Sequence, residues 1–139
     1  MTNKDPSHRF IPWPAMLIVL LLASCWSGPA GAADKIAVVI GKGAPPIEIR
    51  AGRGLQAQLA RLTGTEVSIS TDVPNAATLI FFLGSPGTNP AIQERFGKEW
   101  PELSEQGILL RSVKSNNRRG VIVGGGSPVA SQWAAHEVG

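Results

Sequence analysis

The chain has 139 residues, with 13 basic and 10 acidic side chains and a formal charge of +3, so one domain is the natural expectation. Its basic residues are scattered and tyrosine is absent, which argues against a phosphate-tracking basic face or a base-stacking platform, and so against nucleic acid as a partner. A single cysteine, Cys25, leaves no disulfide framework.

Lys4 and Arg9 precede an apolar run over residues 15–23 that is too short to span a bilayer, and Ala30-Gly31-Ala32 places small residues at cleavage positions. This is the pattern of a bacterial secretory signal peptide over residues 1–32, with an exported domain at 33–139 that is periplasmic or extracellular. Leu22-Ala23-Ser24-Cys25 also fits a lipoprotein signal. Cys25 is thus a candidate lipidation site, and a membrane is a partner only in that case; otherwise Cys25 is a small apolar residue in a discarded peptide. Residues 24–34, rich in Gly, Ala and Ser, read as a flexible joint. A domain of the size that follows buries roughly 60 to 70% of its unfolded surface, enough for its own core.

Lys35 to Ile40 is apolar on both faces and reads as an interior strand. Gly41-Lys42-Gly43-Ala44-Pro45-Pro46 then lacks the GxxxxGK[ST] spacing of a phosphate loop, and its prolines remove N–H donors; it reads as a plain connection. Residues 47–63 are helical, with Ala51, Leu55, Leu59 and Leu62 on one face and Arg50, Gln58 and Arg61 away from it. Gly52 and Gly54 each weaken that helix by about 0.5 to 1 kcal/mol, so its first turns are expected to be loose. Arg61 and Gly64 form its stop.

Val67 to Ser70 alternates as a short strand, and Thr78 to Leu83 is a third, central one. Asn89-Pro90 supplies a cap and a first helical residue for a short helix over 91–96, and Trp100 is expected to cover an edge of the core. Gly107 to Lys114 and Arg119 to Val123 flank Ser115-Asn116-Asn117-Arg118, a hairpin-length turn, and should pair antiparallel. Arg118 and Arg119 read as a solvated loop. Gly124, Gly125 and Gly126 are expected to turn the chain sharply out of the sheet. Ser127 caps and Pro128 opens a terminal helix whose apolar stripe is Val129, Trp133, Ala134 and Val138. The fold class is α+β, in two layers: strand-helix-strand-strand, a hairpin and a terminal helix, forming a mixed sheet with helices packed on it.

Four segments in this order carry a resemblance. They are the helix from Ala51 to Gly64 ending Leu62-Thr63-Gly64, the apolar strand ending Leu83-Gly84, the strand from Gln106 to Val113, and Val121 to Pro128 before a terminal helix. Together they resemble the non-catalytic N-terminal α/β domain that precedes the catalytic barrel in α-glucuronidases, β-N-acetylhexosaminidases and related secreted glycoside hydrolases. The resemblance implies an accessory domain, expected to be truncated at its C-terminal end, whose partner is a catalytic barrel of the same or an associated polypeptide, with a glycan as ligand. In that family two carboxylates of the barrel act on the glycosidic bond. No residue here matches them, so no catalytic residue, cofactor site or metal site is assigned.

Two alternatives come from other classes. His136-Glu137-Val138-Gly139 is one residue short of H-E-x-x-H, the pattern of a zinc peptidase, and one imidazole cannot by itself hold an open three-ligand site. A free-standing secreted or lipid-anchored binding module is the other. Ser127 follows a glycine turn as a nucleophile would, but it lacks the G-x-S-x-G form and a proline follows it; capping is the better reading. Gly124 to Gly126 lack the G-x-G-x-x-G spacing of a dinucleotide fold. Glu94, Glu99, Glu102 and Glu105 are spaced as solvated surface rather than as a matched acid and base.

Overall fold

The structure, a computed structural model, describes residues 34–138. The expected signal peptide and Cys25 lie outside the described residues. The elements are β1 (Ile36–Val39), α1 (Pro46–Thr63), β2 (Val67–Ser70), β3 (Leu79–Gly84), α2 (Pro90–Phe96) with a 3-10 turn Gly97–Glu99 behind it, β4 (Ile108–Ser115), β5 (Arg118–Gly125) and α3 (Pro128–Val138). This is the mixed, helix-covered α+β sheet that the sequence predicts.

The strands lie in the order β2-β1-β3-β5-β4. The first three contacts are parallel, and β4 joins antiparallel to β5 through a two-residue turn. Asn116 and Asn117 both adopt positive φ there, at 51° and 63°, the backbone that matches strand twist in a tight hairpin. Since side chains alternate across a strand, each strand feeds two cores. Ile36, Val38, Phe81, Leu83 and Val123 meet Ala51, Leu55 and Leu59 of α1 and Ala134 and Ala135 of α3. Ala37, Val39, Ile80, Phe82 and Ile122 meet Ile92 and Phe96 of α2. Phe82 and Phe96 stand edge to face with centroids 5.3 Å apart.

Four sequence expectations are overturned. The first turns of α1 are regular helix from Pro46 onward. Gly52 sits where a Cβ would come within 2.8 Å of Ile40 Cγ2 and 3.3 Å of Leu83 Cδ2; it lets the helix lie close on the sheet, and packing outweighs its poor propensity. Leu62 is not on the buried face but 67% exposed, three residues beyond Leu59, the last buried residue of α1.

Second, Gly124 and Gly125 do not turn out of the sheet: both remain in β5, paired with Leu109 and Ile108. A Cβ on Gly124 would strike the Gly84 carbonyl and Trp100, and one on Gly125 would strike Ala130. These glycines serve close approach; positive φ among the glycines is found at Gly64 and Gly84. Third, of the expected stripe of α3, Ala134 is buried and Val138 packs on the core as expected, but Val129 and Trp133 are 43% and 46% exposed, and Ala130, Ser131 and Ala135 are buried instead. Small residues face the sheet because the helix lies directly on Gly125.

Fourth, the two arginines lie in β5 and not in a loop; Arg118 is half-buried, Arg119 is solvated as expected, and both make structural contacts. The Arg118 guanidinium donates to the carbonyls of Pro74 at 2.6 Å and Ala77 at 3.3 Å, tying the hairpin to the loop before β3. Arg119 binds Asp34 at 2.6 Å, and Thr78 donates to the same carboxylate at 3.1 Å. The Arg119 and Thr78 hydrogen bonds hold the Asp34 carboxyl below its ordinary range.

Candidate functional site

In open sheets with parallel strands, ligands settle at the carboxyl ends of the strands, where the winding direction reverses. Here that point lies between β1 and β3: the chain leaves β1 through α1 toward β2, and β3 pairs on the other side of β1. The crevice is filled by protein. Asn89 is fully buried; its Nδ2 donates to the carbonyls of Val39 at 3.1 Å and Leu83 at 2.8 Å, and its Oδ1 accepts the Ala91 N–H. One side chain therefore clamps β1 to β3 and caps α2, as the Asn-Pro signal predicts for the cap alone. Gly41 lies against the Thr88 carbonyl, and Gly126 against the Ser104 carbonyl, each with no room for a Cβ. Trp100 packs on the second core, over Gly124, as expected of a core cover. The loop from Gly41 to Pro45 is a plain connection into α1.

Beneath this plug is a residue that sequence reading missed. Glu48, in the first turn of α1, is 1% exposed. Its Oε1 accepts the Thr88 hydroxyl at 3.1 Å, while its Oε2 is buried without a hydrogen-bond partner. Desolvation pushes its carboxyl up from the ordinary range, with Thr88 and Ser131 hydroxyls opposing. Ser131 Oγ also reaches the Ser127 carbonyl at 3.3 Å, and its single proton serves one acceptor at a time. Glu48 thus ties α1 to the β3–α2 loop. An acidic residue in a first turn is ordinary dipole chemistry, so nothing in the sequence marks it as buried.

Ser127 is a cap: its Oγ accepts the Ala130 N–H at 3.2 Å and donates to the Glu105 carbonyl at 2.6 Å. Both of its hydrogen-bonding roles are occupied by backbone, and among the described residues no histidine hydrogen-bonds to it as an activating base would. Glu94, Glu99, Glu102 and Glu105 are exposed. His136 and Glu137 lie on exposed turns of α3, and among the described residues no group of three or more His, Cys, Asp and Glu converges as metal ligands would. Among the described residues, too, no helix is long and apolar enough to cross a membrane.

Several surfaces of the described residues remain open. One is a groove of about 230 Å³ along the seam of α1 and α3, edged by Arg50, Gln58, Gln132 and His136. Another is an apolar strip. Ile108 and Leu110 project from β4 and are 41% and 44% exposed, and Val129 and Trp133 are similarly exposed on α3, which touches β4. Leu110 pairs with Val123, a residue of the core under α1 and α3, so the strip lies on the α3 side of the sheet. Farther down that side, Ser112, Lys114, Arg119 and Val121 line a trough of about 410 Å³.

No protein-family model matches the chain, and no curated protein does. Among solved structures it is similar to "A novel family GH115 4-O-Methyl-alpha-glucuronidase, BtGH115A, with specificity for decorated arabinogalactans", with a TM-score of 0.54 and 16% identity. The match covers 75% of this chain and 13% of that one. At that identity the likeness is one of fold, and the chain spans about an eighth of the enzyme's length.

Proposed function

We propose that the chain is a non-catalytic accessory domain of an exported glycoside-hydrolase system that acts on glycans. The observation that carries this reading is the fold shared with one segment of a large α-glucuronidase over 75% of this chain. The chemistry of the described residues is consistent with it. The one buried carboxyl, Glu48, is sealed beneath Thr88 and Gly84, and the other candidate carboxylates are solvated, so none is poised beside a second as glycoside hydrolysis requires. The apolar strip of Ile108, Leu110, Val129 and Trp133 is the kind of surface a partner covers. In this reading the partner is a catalytic barrel and the signal peptide directs export.

Aryl α-glucuronides and aryl N-acetylglucosaminides test it. The purified chain is expected to release no aryl alcohol above buffer at any concentration. Release that scales with the chain and survives repurification overturns the reading.

A further inference from the structure

Two rows of side chains face each other across the α1–α3 seam. On α1, Arg50, Gly54 and Gln58 recur every four residues, and on α3 Gln132 and His136 do the same, so each row lies along one helix face. The floor between them is apolar, with Leu55 beneath. No carboxylate lines the groove.

Gly54 is the unexplained residue of this surface. Glycine is a poor helix former, and at Gly52 close packing against Ile40 accounts for it. At Gly54 an added Cβ would meet nothing within 4 Å, so no neighbour requires its absence. What its absence does is leave the groove open midway between Arg50 and Gln58.

The rims define the chemistry of an occupant. The Arg50 guanidinium is a planar fork of donors matched to a carboxylate. Among the described residues it enters none of the ion pairs, which join Lys42 to Asp72, Arg95 to Glu94 and Arg119 to Asp34. Gln58 and Gln132 each offer a paired donor and acceptor suited to hydroxyls. Gln56, by contrast, donates its amide to the Val67 carbonyl and is not available to a ligand. At about 230 Å³ the groove is smaller than the roughly 300 to 1,000 Å³ of sites for drug-sized molecules, a size that suits one ring.

We infer that the α1–α3 groove binds a sugar acid, a uronate unit of a glycan, with its carboxylate on Arg50, its ring over Gly54 and its hydroxyls on Gln58 and Gln132. His136 closes the far rim as a further hydrogen-bonding group. The anionic requirement follows from Arg50; the choice of a sugar acid rests on the carbohydrate reading above.

The test is an amide NMR titration of the purified chain with methyl glucuronide, methyl glucoside and acetate. Methyl glucuronide is expected to shift amides of α1 and α3 around Gly54 and Gln132 with a saturating curve, and the other two to give no saturation over the same range. Arg50→Ala should weaken the glucuronide at least tenfold. Gly54→Ala should do the same while raising Tm, which separates loss of the site from loss of the fold. Absence of glucuronide shifts, equal binding of acetate or glucoside, or undiminished binding by Gly54→Ala would each overturn the inference. Because the readout is binding, a negative result leaves the accessory role standing, whereas turnover of aryl glycosides would sink that role and not the groove.

Discussion

A carboxyl group that is 1% exposed, with one oxygen lacking any partner, is held in its neutral form or weakens the fold by ionising. Glu48 ionises near 4.5 when unfolded, and burial raises that value in the folded chain. Below the unfolded value both states hold the proton and the residue costs nothing. As pH rises through it, the unfolded chain ionises first, so stability falls until the folded carboxyl ionises as well. Glu48→Gln removes this dependence and should raise Tm at pH 7 by a few degrees, where about 4 to 8 °C corresponds to 1 kcal/mol in a domain of this size. The gain should vanish below about pH 4. Thermal melts across pH 3 to 8 check this; a Gln variant less stable at pH 7 would show that the carboxylate is satisfied after all. Asn89 is the opposite case, since all its polar atoms are used. Asn89→Ala strips partners from the buried carbonyls of Val39 and Leu83 and from the Ala91 N–H. At about 1 to 3 kcal/mol per buried group left unpaired, a loss of at least about 2 kcal/mol in denaturant unfolding is expected. The cap was legible in Asn89-Pro90; the strand clamp was not, because it needs two carbonyls brought from distant parts of the chain.

At the scale of elements, α1 carries its own internal control. Gly54→Ala should stabilise by about 0.5 to 1 kcal/mol, the usual helix gain. Gly52→Ala should show no such gain, because the new methyl must displace Ile40 Cγ2 from 2.8 Å, and overpacking typically costs about 1 to 3 kcal/mol. Chemical denaturation of the two variants measures the difference, and equal gains at both sites would contradict the packing described for α1. The same contrast explains what the sequence could and could not convey. The strands and the antiparallel hairpin were readable from apolar runs and turn residues, whereas the order β2-β1-β3-β5-β4 depends on tertiary crossovers that no local pattern marks. The burial side of α3 was not: the eye follows Val129 and Trp133, while the helix turns its small residues inward to sit on Gly125. The glycines from 124 to 126 misled for a related reason, since a glycine kept for close approach looks in sequence like one kept for a turn. In the α1–α3 groove, each row is visible as an i, i+4 pattern, but their facing each other depends on the tertiary contact between the first and last helices.

For the molecule as a whole, two well-packed cores share one sheet, and the apolar strip on β4 and α3 stands apart from both. Lone surface apolar residues are common, but four together beside an edge strand form the surface that a partner would cover in the proposed accessory role. β4 exposes an unpaired backbone edge as well, with Arg111 and Lys114 along it, charges of the kind that discourage unregulated strand pairing. A partner that covers the side chains of the strip is thus compatible with a chain that does not polymerise through its edge. Leu110→Asp and Trp133→Asp should leave the unfolding free energy within about 0.5 kcal/mol of the parent's, as surface changes do, and should abolish the proposed association. The most direct measurement is affinity purification of the tagged chain from the cells that express it, with and without these two substitutions, followed by mass spectrometry and light scattering. In the proposed accessory role the parent chain is recovered in a stoichiometric complex with a glycoside-hydrolase barrel, and the doubly substituted chain is recovered free and folded. A monomer with no barrel in either sample, or a barrel complex indifferent to Leu110 and Trp133, would contradict it.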